Sequence, residues 1–409
     1  MIRVSLERVQ FEARRAAGWT TTALGFTIPI WVVADSILVG LLIVCWAACG
    51  EWREKLRRVA TNPVAVSAML LFAWLLLGAL WGEGNLEERA MWVKKYAYLL
   101  FIPLLISISI DDRERYRALL ALAAALVVTL LLSLILSAGL FIPKEGLTCD
   151  SHNPCVFKKH TTHNLLMGFG ALLFGVLAWK SSQRWGRWGW GVAACLAASN
   201  VLLMVQGRTG YVVLAGLAML VFHACLGWRG MMAAVLSLSV MFSMAYHVSA
   251  SFHDRIDLVA TGVMRWNPQM ATYDGVTERM EFFYHTVEII QDHPLMGVGT
   301  GGFAKAYAVR VQDLGLPVPT HPHNQYLLVM AQVGVVGISL LLWLFVQQWR
   351  SAAVAVDAAA GLLARGLVVT IVIGCLFQPA LTDHTEKLFY CLFSGLLFCG
   401  TTPQVEAKI

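Results

Sequence analysis

The chain has 409 residues, of which 58% are hydrophobic and only 14% charged. A soluble protein of that length carries about 25% charged residues, so this deficit, with a mean hydropathy of +0.66, excludes an ordinary soluble globule. The net charge of +6 is spread as basic residues over many loops, which excludes a nucleic-acid footprint and leaves topology as what the charges set.

The basic N-terminus leads into an apolar stretch, 19–50, that lacks the small-residue cleavage site of a signal peptide. It is too long for one straight crossing, Pro29 interrupts it and Asp35 lies near its middle. The expected reading is two short helices, 20–34 and 36–50, with Asp35 at the turn. Stretches close to the ~20 residues that span a bilayer follow at 64–82, 91–109, 118–140, 163–179, 188–206, 210–227 and 229–248. Residues 249–323 are too rich in turn formers to cross. Within them, 276–292 predicts an amphipathic helix with Phe283, Val287 and Ile290 on its apolar side. Pro294 ends that helix, and Gly297, Gly299, Gly301 and Gly302 predict a flexible turn. Spans at 324–346, 361–380 and 388–401 complete a set of about twelve.

The expected fold is an all-α polytopic membrane protein in three parts. Residues 1–248 hold transmembrane helices 1–9, 249–323 form a large outer loop, and 324–409 hold helices 10–12 and a cytoplasmic tail. With both termini inside, 18 of the 31 basic residues fall on cytoplasmic segments, against 8 on short outer ones, as the positive-inside rule requires. Reading 19–50 as a single span would reverse the bias. Seven of the nine cysteines lie inside apolar spans, where they act as small packing residues. Cys149 and Cys155 flank Asp-Ser-His-Asn-Pro in an outer loop. An oxidising compartment favours a disulfide there, with two free thiols as the alternative.

Ionisable groups inside a membrane are costly and mark function, and the span centres here are nearly free of them. The unusual ones gather at the outer ends of spans: Lys94 and Lys95, His160 and His163, Arg208 in Gln-Gly-Arg-Thr-Gly, Arg279 on the loop helix, His321 and His323, His384 and Lys387. A lysine or arginine at a span end is more often a snorkelling anchor. Arg208 departs from that pattern, because glycines bracket it in a very short turn on the side where basic residues are disfavoured. Cations converging at the membrane boundary suit a lipid-borne anion such as a polyprenyl diphosphate, whose oxygens match the planar fork of an arginine. A histidine beside them can serve as a base. The paired histidines could also hold a metal, yet no Cys or carboxylate joins them at ligand spacing.

His323-Asn324, followed nine residues later by Gly334-Val335-Val336-Gly337, resembles the histidine motif of bacterial O-antigen ligases. Arg279 with Asp292-His293-Pro294-Leu295-Met296-Gly297-Val298-Gly299 resembles a segment shared by the wider O-antigen ligase and polymerase superfamily. Gln206-Gly207-Arg208-Thr209-Gly210 is similar to that superfamily's Ser-Arg-Thr-Gly turn, with Gly207 in place of Ser.

The resemblance implies a glycosyltransferase of the GT-C type in the bacterial inner membrane, with both termini cytoplasmic and the active site facing the periplasm. It would move an undecaprenyl-diphosphate-linked O-antigen glycan to a sugar hydroxyl of lipid A–core, in lipopolysaccharide biosynthesis, with inversion and with no metal or cofactor. The family's catalytic histidine carries over to His323 and its two arginines, on the donor diphosphate, to Arg208 and Arg279. His321, Lys94, Lys95 and His163 are lesser candidates. A polymerase or a pilin oligosaccharyltransferase of the same superfamily would carry similar motifs. A secondary transporter is the alternative of a different class, but it predicts ionisable groups near the bilayer midplane.

Overall fold

Each expected crossing overlaps a helix, but the helix bounds differ from the apolar runs: some helices are broken, and two expected spans share one helix. The structure, a computed structural model, describes residues 2–108, 110–140, 149–248, 250–267, 277–355 and 357–399. Loop residues 268–276 and the tail from 400 onward lie outside the described residues. Among the described residues there is no strand beyond one isolated bridge, Asp150 to Asn153. The first half runs α1 (Ile2–Thr27), α2 (Val32–Ala48), α3 (Trp52–Thr61), α4 (Pro63–Gly78), α5 (Leu86–Tyr96), α6 (Phe101–Ser107), α7 (Asp112–Ser137), α8 (His160–Lys180) and α9 (Arg184–Ser199). The second half runs α10 (Arg208–Val248), α11 (Ala250–Arg265), α12 (Thr277–Asp292), α13 (Phe303–Val311), α14 (Gln325–Ala353), α15 (Ala358–Phe377) and α16 (His384–Leu397).

The break in 19–50 is real but falls at 28–31, around Pro29, so Asp35 lies inside the second helix and not at the turn as expected. α1 stops at Thr27 and α2 begins at Val32, with Asp35 buried in its first turn and accepting a hydrogen bond from Thr27 Oγ1 at 2.7 Å. By length and composition, six helical segments among the described residues can cross a membrane, or seven if α2 and α3, bent by 112°, count as one. The expected dozen exceeds this because two expected spans, 210–227 and 229–248, lie on the one helix α10, and because α4, α9 and α16 are short. α16, for example, has 14 residues, about 21 Å at 1.5 Å per residue, short of a ~30 Å hydrocarbon core.

The long loop holds more helix than expected. α11 and α13 lie within it beside α12. α12 coincides with the predicted helix, but its buried face is Phe282, His285, Thr286 and Ile289, while Val287 is exposed. Phe283 and Ile290 sit at the flanks of that face, only partly buried. The face is rotated because α12 packs against α13 and α14 rather than lying on lipid, and such neighbours accept polar groups on a buried face.

The glycine run after Pro294 is a buried wedge, which corrects the flexible turn. Val298 N–H donates to Ala331 C=O at 2.9 Å, Thr300 N–H to Gly78 C=O at 3.0 Å and Val335 N–H to Pro294 C=O at 2.9 Å. Trp74 and Trp81 add indole N–H donors to Val333 and Met296 carbonyls. The wedge enters α14 where Val333 and Gly334 leave helical geometry, so a broken helix shares its freed backbone groups with a loop instead of leaving them unpaired in an apolar setting. Gly334 has φ +65° and a Cβ on it would meet Leu295 C=O at 2.1 Å. Gly299 has φ +81° and a Cβ on it would meet Gly82 Cα at 2.2 Å.

Gly299→Ala is therefore expected to cost about 2 kcal/mol or more, read as a lower melting temperature in detergent. Gly175→Ala, where a Cβ meets open space, should be neutral or slightly stabilising.

Candidate active site

The site starts at a helix cap. Asn324 Oδ1 accepts from the N–H groups of Tyr326 (2.9 Å) and Leu327 (3.0 Å), and its Nδ2 donates to Leu376 C=O at 3.1 Å. Asparagine satisfies the free amides that open α14 and ties that opening to the end of α15. The residue before it, His323, is bent into the left-handed region at φ +53°, a conformation uncommon for a residue with a Cβ and one that persists only where the surroundings enforce it. Its backbone N–H donates to His321 Nδ1 at 3.2 Å. A neutral His321 then carries its proton on Nε2.

The His323 ring is clamped from two sides. It stacks on Phe282 of α12, with centroids 5.9 Å apart and planes 11° apart, and meets the His321 ring edge-on at 4.5 Å. Its ring nitrogens make no hydrogen bond to the protein among the described residues. The side chain is fixed by packing while its base is left free to meet a proton donor.

Arg279 lies one turn before Phe282 on the same side of α12. It is half-buried, and burial first, then the charge of Arg208, pull its pKa below the usual arginine value. Arg208 opens α10 and is exposed. The two guanidinium groups come from separate elements, 71 positions apart in the chain, and share one field. His160 at the start of α8 feels Arg279 and Lys159. Burial, then His321, Arg279 and Lys159, drive the His323 pKa down to about 4, with Asp383 opposing them. His321 is lowered as well, by burial first, while Asp383 pulls upward and Lys159 and Lys95 downward.

A second row of charges continues from there. Lys159 Nζ donates to Asp383 Oδ2 at 2.8 Å. Lys95 Nζ sits 4.1 Å from the centre of the Trp92 ring, and Lys387, only 6% exposed, sits 4.2 Å from that of Tyr98. Two of the lesser candidates belong elsewhere. Lys94 faces outward and lines an apolar cavity of about 680 Å³ with Trp46, Trp52 and Phe101. One position along a helix turns a side chain by 100°, which separates it from Lys95. His163 is 2% exposed and its Nε2 pairs with Asn200 Oδ1 at 2.9 Å, so it braces α8 against the π-helical turn Asn200–Met204. Among the described residues, no three His, Cys, Asp or Glu side chains gather as metal ligands.

The region carrying Arg208, Arg279, His323 and the α14 break is also the region with known relatives. Residues 193–342 match the O-antigen ligase family. Over that stretch the chain is similar to the O-antigen ligase family, which supports a place in the O-antigen ligase and polymerase superfamily. Members of the family are glycosyl-transferring membrane enzymes. No curated protein matches the chain. Three contributors to the site are not singled out by the sequence: Phe282, Lys159 and Asp383. A dibasic Lys158-Lys159 pair just ahead of a span, on the side where cations are disfavoured, was the readable signal for one of them. An acid at 383 beside His384 was another. Nothing in the sequence distinguishes Phe282 from a packing residue.

Burial first, and the surrounding cations after it, keep His323 neutral in the free protein at pH 7, and its neutral form is lost only as pH falls through about 4. A bound dianion would offset Arg208 and Arg279 and raise that value. We expect the acid limb of kcat/KM, which reports free enzyme, to lie near pH 4, and the acid limb of kcat, which reports the complex, to lie higher. Coincident limbs would show that no anion enters the field of His323.

Proposed function

We propose that this protein is an O-antigen ligase, transferring a glycan from undecaprenyl diphosphate to a sugar hydroxyl of lipid A–core at the periplasmic face of the bacterial inner membrane. Counting the shorter helices, the chain would cross about twelve times, in the manner of a GT-C enzyme. The observation that carries the reading is the clamped, unprotonated His323 beside Arg279, which in turn shares its field with Arg208, neither arginine making an ion pair among the described residues.

A diphosphate leaves without being protonated, but negative charge grows on its bridging oxygen as the anomeric C–O bond breaks. Arg208 and Arg279 bind the phosphoryl oxygens and stabilise that charge, which preorganised donors typically do by ~3 kcal/mol each. The acceptor hydroxyl approaches the opposite face of the anomeric carbon. His323 takes its proton as the new C–O bond forms, so the configuration inverts. Undecaprenyl diphosphate departs, and the imidazolium returns its proton to water. His321, with its Nδ1 engaged by the His323 amide, orients the backbone that holds the base. Lys95 and Lys159 raise the local positive potential. The reaction uses no metal or cofactor.

His323→Ala, Arg208→Ala and Arg279→Ala are each expected to lower transfer by at least about 100-fold with normal membrane accumulation. The assay is in vitro transfer with purified protein, lipid-linked glycan and lipid A–core. Near-normal transfer by His323→Ala would remove it from the role of base. Gene deletion separates the ligase from its relatives: a ligase leaves lipid-linked polymer accumulating, a polymerase leaves single repeats on the core, and a pilin transferase leaves bare pilin.

A further inference from the structure

The segment that presents Arg208 is held from two directions by residues outside the region that matches the family. On one side, Asn164 of α8 donates through Nδ2 to the carbonyls of Val205 (3.3 Å) and Gly207 (3.4 Å). A Cβ on Gly207 would meet that same Nδ2 at 2.4 Å, so the glycine is what lets α8 approach the turn. On the other side stands the small loop closed by a disulfide between Cys149 and Cys155, whose Cα atoms are 5.2 Å apart. The two cysteines and Val205 form a buried apolar cluster of their own, separate from the main core. Asn153 Oδ1 accepts from Gln206 N–H at 2.9 Å, and His152 C=O accepts from Gln206 Nε2 at 3.4 Å. Inside the loop, Asp150 Oδ1 accepts from the amides of His152 and Asn153, both at 2.8 Å. That turn fixes where the Asn153 side chain points. The loop is anchored in turn to α7, because Ser133 donates to Pro154 C=O and receives a hydrogen bond from Asn200.

The arrangement has a mechanical reason. Arg208 and Arg279 repel each other, and a free turn at residues 205–208 would relax by swinging Arg208 into solvent. A backbone pinned at 205, 206 and 207 resists that. We propose that the Cys149–Cys155 loop, acting through Asn153, is a positioning device that holds Arg208 against the repulsion of Arg279, so that both guanidinium groups are preset for one diphosphate. The inference rests on the donor-site reading of Arg208 given above. It adds that the affinity of the site for a diphosphate depends on a covalent closure six residues long and remote in sequence from either arginine.

The test is binding of undecaprenyl diphosphate to the purified full-length protein in detergent, so that turnover plays no part in the readout. Cys149→Ser/Cys155→Ser and, with the bridge intact, Asn153→Ala are each expected to weaken binding about tenfold, the size of losing one charge-assisted contact. Arg208→Ala in the intact background should weaken it at least as much. Adding Asn153→Ala to Arg208→Ala should then cause no further loss, because the brace acts only through that arginine. Losses that multiply in the double variant, or a Kd unchanged in both Asn153→Ala and the cysteine variant, would overturn the proposal. If Arg208→Ala alone leaves the Kd unchanged, the donor-site reading itself fails and the brace has nothing to position. The Asn153→Ala variant keeps the proposal testable even if loss of the bridge prevents folding.

Discussion

Like-charge repulsion is the constraint around which this end of the bundle is organised. Arg208, Arg279, Lys159 and Lys95 all act on one small, half-buried region, together with His160, His321 and His323. Among the described residues, the carboxylate that acts on the histidine pair, Asp383, is already engaged by Lys159. Cations held this close in a poorly hydrated place cost free energy, which the Lys159–Asp383 pair offsets only in part. The cost is borne by rigidity elsewhere: a capped and broken helix, a buried glycine wedge and a disulfide-closed loop. Sites that bind anions are expected to be strained in this sense before the anion arrives.

The same charges decide what His323 can do. An imidazole with a pKa near 4 is a poor base, yet it is reliably unprotonated, and that is the state in which it can accept a proton. An anion bound to the arginines would offset the cationic part of the depression, though not the part due to burial, and return some basicity to the ring in the complex. Substrate binding and base strength are then linked through one field, with no conformational change required. The left-handed backbone at His323 and the stack on Phe282 keep the ring in place while its electrostatic surroundings change.

The large loop is integral to the membrane bundle rather than a cover laid over it. Its glycine wedge donates to carbonyls of α4 and of α14 beside the break, and Val335 of α14 donates back to Pro294. α12 thereby gains a fixed height above α14, which is what aligns Arg279 and Phe282 with His323. A loop of turn residues would offer an arginine on a tether, whereas this one offers it on a helix docked to the element that carries the base.

Much of the architecture was legible in the chain itself. Apolar runs and the scarcity of charge make the helices and the membrane evident, Pro29 marks the first break while Asp35 falls inside the helix after it, and Arg208, Arg279 and His323 stand out as cations and a histidine at helix ends. Periodicity found the helix at 277–292 but not its buried face, because a face is chosen by the neighbour that covers it, here α13 and α14. The glycines at 297–302 read as a flexible turn because sequence records conformational freedom and not what is packed against it. Lys94 and Lys95 were indistinguishable until the helix set one toward an apolar cavity and the other toward His321. His163 looked like a site residue until Asn200, far along the chain, was found holding it. The sequence by itself determined which residues could carry charge, break a helix or form a bridge, since those are properties of single side chains and short windows. Only the tertiary structure decided which of them share a field, because electrostatic and hydrogen-bonding partners such as Asn153 and Gln206, or Lys159 and Asp383, are close in space and distant in sequence.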